Sequence, residues 1–334
     1  MKLSARVVPA AALSVAEREL WDGLQATNHD LATAFLSHRY VTAAASVFPH
    51  VRVCILERSG QPVGFFPFQF RHSWHRPLGW GERVGGELSD YFGVIAPPGL
   101  GLSPGRLLKL AGLTSLAFTH LPQSQLSRGL AGEQPEKGLR IVIGGNYWQD
   151  LRQRDKRFVV DTERRERKLA DAKGPLRFVF HDTGLDQLIA AKRAQYDRTG
   201  VGDPLADSKA VRFLAKLAKI SHPSCQGVLS TLMAGDHWVA SHFGLRHGDT
   251  LHYWFPVYNP EFQPFSPGRL LVKAIIQCEA GIRLIDRGAG DTPAKRDFAN
   301  DEHVLTRGLW QTPSARALAC RVGLAVKWRL AHSP

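Results

Sequence analysis

Short apolar runs broken by a glycine turn recur in two places along the chain. Residues 53–66 and residues 228–241 each have the pattern of two strands joined at a glycine, as in a β-hairpin. Aromatic, strand-like runs follow at residues 88–93 and 251–256. Each of these runs leads into a loop and then into apolar residues with helical spacing. The pattern therefore predicts two α/β halves of similar construction.

The string Ser-Pro-Gly-Arg-Leu-Leu opens the predicted helix in both halves, at residues 103–108 and 266–271. Serine is a good N-cap, proline is tolerated in the first helical turn, and glycine lets a ligand approach the backbone. A helix N-terminus has unpaired N–H groups and the positive end of the helix dipole, to which Arg106 or Arg269 adds a charge. The string therefore predicts a phosphate site, with plain helix capping as the alternative for each copy.

The two copies lead into helices of unequal length. After the second copy, Leu271, Ile275 and Cys278 continue the helical spacing, and Gly281 is placed to end the helix. The helix after the first copy is shorter and reaches a stop signal at Gly112. We therefore expect the ligand in the second half and a structural role for the first.

The length of 334 residues leaves room for two domains. We predict an N-terminal domain at residues 1–150 and a C-terminal, ligand-binding domain at residues 176–312. Residues 151–175 mix Arg and Lys with Asp and Glu, which indicates a solvated connecting helix, with an anion or substrate groove as the alternative. Residues 313–334 are expected to form a basic helix or tail.

The net charge of +13 is compatible with an anionic cofactor, a nucleotide-linked substrate, nucleic acid or an acidic membrane surface. Aromatic residues are not interleaved with the basic run, which disfavours a nucleic-acid platform. The four cysteines have no metal-ligand spacing, so reduced thiols and no metal site are expected. No apolar run is long enough to span a bilayer, and Pro9 interrupts a weak signal-like start, so we expect a cytoplasmic protein.

Several stretches resemble one known family. Residues 263–268, Gln-Pro-Phe-Ser-Pro-Gly, resemble its pyrophosphate loop, with Ser266 in place of the first glycine, and the first copy lacks the leading Gln. Residues 195–200, 251–258 and 286–291, the last with Lys295 and Phe298, also match its pattern, although relatives often carry an aromatic residue where this chain has Ala294. Over residues 35–308 the chain thus resembles the GNAT acyltransferase superfamily. The similar branch is the duplicated one that includes Fem-type peptidyltransferases and acetyltransferases of cellulose and exopolysaccharide biosynthesis.

The resemblance implies an α/β (α+β) fold of tandem GNAT-like domains, each a mixed, mostly antiparallel sheet flanked by helices, with a degenerate first domain. It also implies an acyl-CoA donor, most simply acetyl-CoA, and no metal. The residues that it assigns to the cofactor are Gln263, Ser266, Gly268, Arg269 and Leu270.

Direct acyl transfer needs a base beside the attacking group. The candidates are His242, His252, Asp286 and Asp291, of which Asp291 lies in a glycine-rich loop after a strand. Tyr253 is a candidate donor to the leaving thiolate. A structural role is the alternative for each of these side chains.

Three side chains are candidates for contact with the substrate, namely Asp286 again, Arg198 and Lys295. The leading hypothesis is N- or O-acylation of a sugar or cell-envelope precursor, which implies contact with the synthesis machinery and leaves peripheral membrane contact open. One alternative is a Fem-like transferase that uses aminoacyl-tRNA, the one hypothesis with a nucleic-acid partner. The other is a non-catalytic scaffold for polysaccharide synthesis.

Overall fold

The computed structural model describes residues 3–320 of the chain. Its strands are β1 (Leu3–Pro9), β2 (Val51–Arg58), β3 (Gln61–Gln69), β4 (Trp80–Glu82), β5 (Ser115–Pro122), β6 (Gln134–Val142), β7 (Leu176–Val179), β8 (Ser221–His222), β9 (Cys225–Ala234), β10 (His237–His247), β11 (Thr250–Tyr258), β12 (Leu284–Ala289) and β13 (Asp301–Gln311). Its helices are α1 (Val15–Thr27), α2 (His38–Ala45), α3 (His75–Leu78), α4 (Pro104–Ala111), α5 (Tyr147–Arg154), α6 (Lys156–Lys173), α7 (Leu185–Thr199), α8 (Ser208–Ala218), α9 (Pro267–Gln277) and α10 (Pro293–Arg296). Both predicted hairpins are confirmed, as the antiparallel pairs β2–β3 and β9–β10.

The described residues divide into two compact units, residues 3–136 with 304–320 and residues 137–303. These boundaries differ from the predicted domains because the chain exchanges a strand between its halves. Strand β6 follows β5 along the chain but pairs with β12 in the second unit, whereas β13 pairs with β5 in the first. Most of the C-terminal element predicted at residues 313–334 lies outside the described residues.

The first unit contains a sheet in the order β1–β2–β3–β4–β5–β13, in which β4 and β5 run parallel and the other pairs are antiparallel. Helix α4 begins as the repeated string predicts, since the Ser103 side chain accepts a hydrogen bond from the Arg106 N–H at 3.3 Å. The strand predicted at residues 88–93 is wrong. Gly85 and Gly86 take positive φ values of 81° and 55° and turn the chain just before this run.

The second unit contains a sheet in the order β6–β12–β11–β10–β9–β7, with β8 paired to β9. Strands β11 and β12 are parallel, whereas the pairs on either side of them are antiparallel. Helix α9 packs on β9, β10 and β11, while α7 and α8 contact β11 and β9 respectively. Leu271 and Ile275 of α9 are fully buried, and each such side chain contributes about 1.5–3 kcal/mol to folding.

Helix α6 is not the solvated connection that its charges indicate. Phe158, Val159 and Leu169 on one of its faces are buried in the core of the second unit. Glu166 lies on this same side and forms an ion pair with Lys273 of α9, whereas Arg164, Arg167 and Lys168 are exposed on the opposite face. The charged residues therefore cover one side of an amphipathic helix that belongs to this unit. Within residues 3–320, no helix has both the length and the apolarity required to cross a membrane.

Candidate functional site

The parallel strands β11 and β12 pair only over their first residues. The pairing runs from Thr250 opposite Leu284 to His252 opposite Asp286 and does not continue beyond this point. Beyond His252 and Asp286, the backbone N–H and C=O groups on the facing edges of β11 and β12 no longer pair with each other. Tyr253 and the residues that follow it therefore lie where the two strands separate.

Strand β11 also carries a bulge at this point. Phe255 pairs with Phe243 of β10, and the next pair is His252 with Leu245. Between these pairs β11 advances by three residues and β10 by two, so β11 contains one extra residue. A bulge leaves one residue unpaired and bends the strand. The bulge therefore interrupts the ladder of β11 at Tyr253 and Trp254, beside the separation from β12.

A cleft of about 510 Å³ opens in the second unit at this separation. Its walls come from α7, the second half of β11, the N-terminal turn of α9, Arg287 of β12 and the residues around α10. The lining residues are Lys192, Gln195, Tyr253, Pro256, Val257, Tyr258, Gln263, Ser266, Pro267, Gly268, Arg269, Leu271, Val272, Arg287, Ala294, Asp297 and Phe298. The cleft thus joins the predicted phosphate loop to Tyr253, but it includes only some of the other predicted site residues.

The loop before α9 differs from its counterpart in the first unit. A short 3-10 helix, Pro260–Phe265, leads directly into α9 through Ser266, which has a φ of 56° and no side-chain capping bond. The Ser266 carbonyl instead accepts hydrogen bonds from the N–H groups of Arg269 and Leu270, at 2.9 and 3.2 Å. The capping role predicted for this serine is therefore wrong in the second copy, although it holds for Ser103.

Gly268 is the open point of this loop. A Cβ atom built there would meet no atom within 4 Å, and the residue lines the cleft. Pro267 before it has no N–H, so the first turn of α9 has one fewer donor to satisfy. A phosphate group can approach the backbone at Gly268 closely, as its position at the N-terminus of an α-helix favours.

Arg269 and Leu270 contribute less to the cleft than the sequence suggests. The Arg269 guanidinium lies 3.0 Å from a carboxylate oxygen of Asp161 on α6 and stacks 4.3 Å from the ring centroid of Phe158. Its charge is therefore partly offset in the protein itself. The Leu270 side chain is buried in the core and does not line the cleft.

Tyr253 is the predicted catalytic residue that lines the cleft. Its ring stacks on the imidazole of His242, with centroids 4.4 Å apart and planes inclined by 5°. Burial raises the pKa of Tyr253 to about 12, so its hydroxyl keeps its proton over the physiological range. His242 is fully buried behind this ring, with its Nδ1 3.2 Å from Ser230 Oγ, and burial lowers its pKa to about 3. A neutral His242 thus supports Tyr253 rather than reaching the cleft.

Asp291 does not lie in the cleft. Its carboxylate is exposed on the loop after β12 and pairs with Arg296 Nε at 2.5 Å. This hydrogen bond holds the pKa of Asp291 below its usual value. Asp291 lines a separate surface hollow with Lys137 and Asn300, so the geometry does not support the base role predicted for it.

The predicted substrate residues also lie outside the cleft. Asp286 is buried, accepts the Gly288 N–H at 2.8 Å and lies 3.7 Å from His252 Nδ1. Lys295 donates through Nζ to the carbonyl of Ala289. Arg198 is exposed in the last turn of α7. Asp286 and Lys295 therefore shape the turn after β12 instead of lining the cleft.

Lys192 is the most informative residue that sequence reasoning missed. Its side chain is only 8% exposed, and Nζ donates to the Pro256 carbonyl at 2.8 Å and to Gln195 Oε1 at 3.1 Å. Desolvation lowers the pKa of Lys192 to about 8. Lys192 and Gln195 share one face of α7 because they are three residues apart. Gln195 begins residues 195–200, one of the stretches that match the family pattern. A lysine three residues before it, on the same helix face, is therefore a signal that points to Lys192.

The second unit contains the segment that matches a known family. Residues 157–296, from α6 to α10, match the family described as acetyltransferase (GNAT) domain. Comparison with curated protein sequences gives no significant match. Within residues 3–320, no group of three or more His, Cys, Asp or Glu side chains is arranged to hold a metal ion.

Solved structures resemble nearly the whole chain at low sequence identity. FemX has a TM-score of 0.60 and 11% identity, over 96% of this chain and 100% of its own. The C-terminal domain of a candidate lysylphosphatidylglycerol synthetase from Agrobacterium fabrum has a TM-score of 0.52 and 13% identity, over 94% of this chain and 98% of its own. A tandem GNAT protein from the clavulanic acid biosynthesis pathway has a TM-score of 0.50 and 14% identity, over 94% and 100%. The chain therefore has the fold of duplicated GNAT-like domains, and its residues 157–296 match the acetyltransferase (GNAT) domain family.

Proposed function

We propose that the second unit is an acyl-CoA-dependent acyltransferase that acts by direct transfer to an amino or hydroxyl group. The observation that carries this proposal is the cleft, which connects the open glycine of the α9 turn to the separation of β11 and β12. Acetyl-CoA is the simplest donor. The acceptor that we propose is a sugar or other precursor of the cell envelope or an exopolysaccharide, on the basis of the resemblance of residues 195–200 and 286–291 to that branch.

The lining residues fit such a donor at both ends of the cleft. Gly268 and the N-terminus of α9 would hold the pyrophosphate, with the exposed Gln263 also lining the cleft. Val257 and Tyr258 would lie along the pantetheine arm. The thioester supplies an activated acyl group, and the interrupted ladder at the β11 bulge offers backbone N–H groups to its carbonyl oxygen.

Tyr253 and Lys192 have complementary proton affinities. Because the pKa of Tyr253 is raised to about 12, its hydroxyl is a proton donor and is suited to protonate the departing thiolate. Because the pKa of Lys192 is lowered to about 8, a useful fraction of its amine is neutral near physiological pH. That amine is suited to accept the proton that the attacking group loses. We therefore assign Tyr253 as general acid and Lys192 as general base.

Calorimetric titration of acetyl-CoA into the wild type and Gly268→Glu tests the donor site. The new side chain has open space, so the variant should fold, and its carboxylate should repel the pyrophosphate. We expect affinity to fall by at least about tenfold, or ~1.4 kcal/mol. The matched control is Gly105→Glu in the first copy of the string, where a Cβ also meets nothing within 4 Å. Absence of acetyl-CoA binding by the wild type would refute the proposal.

A Fem-like aminoacyl transfer from tRNA is the second candidate, and one surface feature favours it. An open groove of about 960 Å³ lies along the first half of α6, where Lys156, Arg157, Arg164 and Arg165 line it beside Arg269. Such a groove suits the backbone of a nucleic acid. Under this candidate, the wild type would bind aminoacyl-tRNA with a strong salt dependence and would have no affinity for coenzyme A.

A further inference from the structure

Arg287 contributes a half-buried cation to the lining of the cleft. It follows Asp286, the last residue of β12 that pairs with β11, so it lies where the two strands begin to separate. Its guanidinium carbon lies 5.4 Å from the centroid of the Tyr253 ring. Arg287 therefore lies beside the proposed proton donor.

The hydrogen bonds of this guanidinium are incomplete. An arginine side chain has five N–H donors in a planar fork. Nη1 donates to the carbonyl of Ala294 at 2.7 Å and lies 3.5 Å from that of Lys295. Nε is buried and has no acceptor among the residues that the structure describes. The edge of the fork formed by Nε and Nη2 is thus left for another partner.

No acid of the described residues neutralises Arg287 through an ion pair. Asp297 attracts it only through space, and the Asp297 carboxylate instead lies 4.0 Å from Arg269. Burial of a cation without a carboxylate partner is costly, and it lowers the pKa of Arg287. Ala294, whose carbonyl accepts from Nη1, also lines the cleft, and its side chain is only a methyl group that carries no charge.

We propose that Arg287 binds a carboxylate of the substrate through its Nε–Nη2 edge. Two parallel N–H···O bonds would satisfy the buried Nε and neutralise the charge at once, which is the preferred way for arginine to hold a carboxylate. The inference rests on the proposed acyltransferase function and specifies its substrate class. The carboxylate belongs either to the acyl group, as in a dicarboxylic acyl-CoA, or to the acceptor.

Matched ligand pairs measure the preference and distinguish the two sources. Butyryl-CoA and succinyl-CoA differ only by a terminal methyl or carboxylate, and titration of each reports the acyl group. Two further pairs test whether the carboxylate belongs to the acceptor. They are glucosamine with muramic acid and phenylalaninamide with phenylalanine, each titrated in the presence of coenzyme A. We expect the carboxylated member of at least one pair to bind at least about tenfold more tightly, as one charge-assisted pair gives.

Arg287→Gln should abolish that preference while the affinity for free coenzyme A stays within a few-fold. Arg287→Lys should restore part of it, because it keeps the charge without the fork. The matched control, Arg283→Gln, removes an exposed charge just before the same strand and should change nothing. Equal binding within every pair, or an equal loss of all CoA ligands including free coenzyme A in Arg287→Gln, would overturn the inference. Failure of the wild type to bind any CoA ligand would count instead against the donor proposal, and the acceptor pairs titrated alone would still test Arg287.

Discussion

Lys192 links the folding of the second unit to its proposed chemistry. A buried ammonium group loses hydration, and two neutral acceptors, Pro256 O and Gln195 Oε1, replace it only in part. The pKa of Lys192 is therefore about 8, below its ordinary value of 10.5. The same desolvation that destabilises the charged form makes the amine available as a base.

This shift predicts a pH dependence of stability. Between the two pKa values the unfolded chain binds more protons than the folded chain, so the free energy of unfolding rises with pH there. From about pH 7 to about pH 9.5, the contribution of Lys192 should rise by about 2 kcal/mol. Denaturant titrations of the wild type and Lys192→Met at both pH values should show this difference. Lys209→Met, which removes an exposed lysine of α8, should show none. An unchanged difference between wild type and Lys192→Met would mean that Lys192 stays protonated.

The site residues that could be predicted are those whose role follows from the neighbouring residues in the sequence. Gly268, Ser266 and Gln263 could be located from a short motif, and Tyr253 from its place in an aromatic strand run. The base role of Asp291 was predicted from its glycine-rich surroundings, which give no information about Arg296, its partner in the structure. Arg287 and Lys192 were missed because burial of a cation depends on tertiary packing, which residue type and spacing do not reveal.

At the scale of elements, the repeated string predicted where α4 and α9 begin but not how each helix starts. Ser103 caps α4 through its side chain, whereas a 3-10 helix enters α9 through Ser266 with a left-handed backbone. A non-glycine residue in that conformation stores strain, and such residues concentrate at functional sites. The same six letters thus serve as a plain cap in one unit and as the entrance to the cleft in the other.

The pairing of α6 with α9 predicts that one variant binds the donor more tightly. Asp161 holds Arg269 at 3.0 Å, so removal of the Asp161 charge should free Arg269 to attract phosphate. We expect Asp161→Asn to raise acetyl-CoA affinity by about three- to tenfold at low salt, with a smaller gain at high salt. The matched control is Asp171→Asn, an exposed position on the same helix. An equal affinity in both variants and the wild type would show that Arg269 does not face the phosphates.

At the scale of the whole molecule, the duplication could be predicted because it leaves paired hairpins and paired strings in the sequence. The exchange of β6 and β13 could not, because alternation of apolar and polar residues identifies a strand without identifying its neighbour. The charged run at residues 151–175 indicates a solvated helix for a related reason. Its buried residues Phe158 and Val159 are few, and they are outnumbered by the charged face of α6.

The net charge of +13 leads to the last prediction, which concerns RNA. A surface this basic attracts any polyanion, so binding of tRNA by itself is weak evidence for a tRNA substrate. We expect aminoacylated tRNA, uncharged tRNA and an unrelated RNA of equal length to bind with equal affinity in a filter-binding or anisotropy assay. We also expect that affinity to fall by about 10³-fold or more between 50 and 200 mM salt, as counterion release requires.

Binding of acetyl-CoA should depend less on salt than binding of RNA. Its proposed site is a defined cleft, whereas RNA is attracted by the positive charge of the whole surface. Acetyl-CoA binding should therefore survive at 200 mM salt, where the RNA is released. A preference of about tenfold or more for the aminoacylated tRNA, retained at that salt concentration, would reverse this interpretation. Aminoacyl-tRNA would then be the donor, and the groove beside α6 would be the site that holds the tRNA backbone.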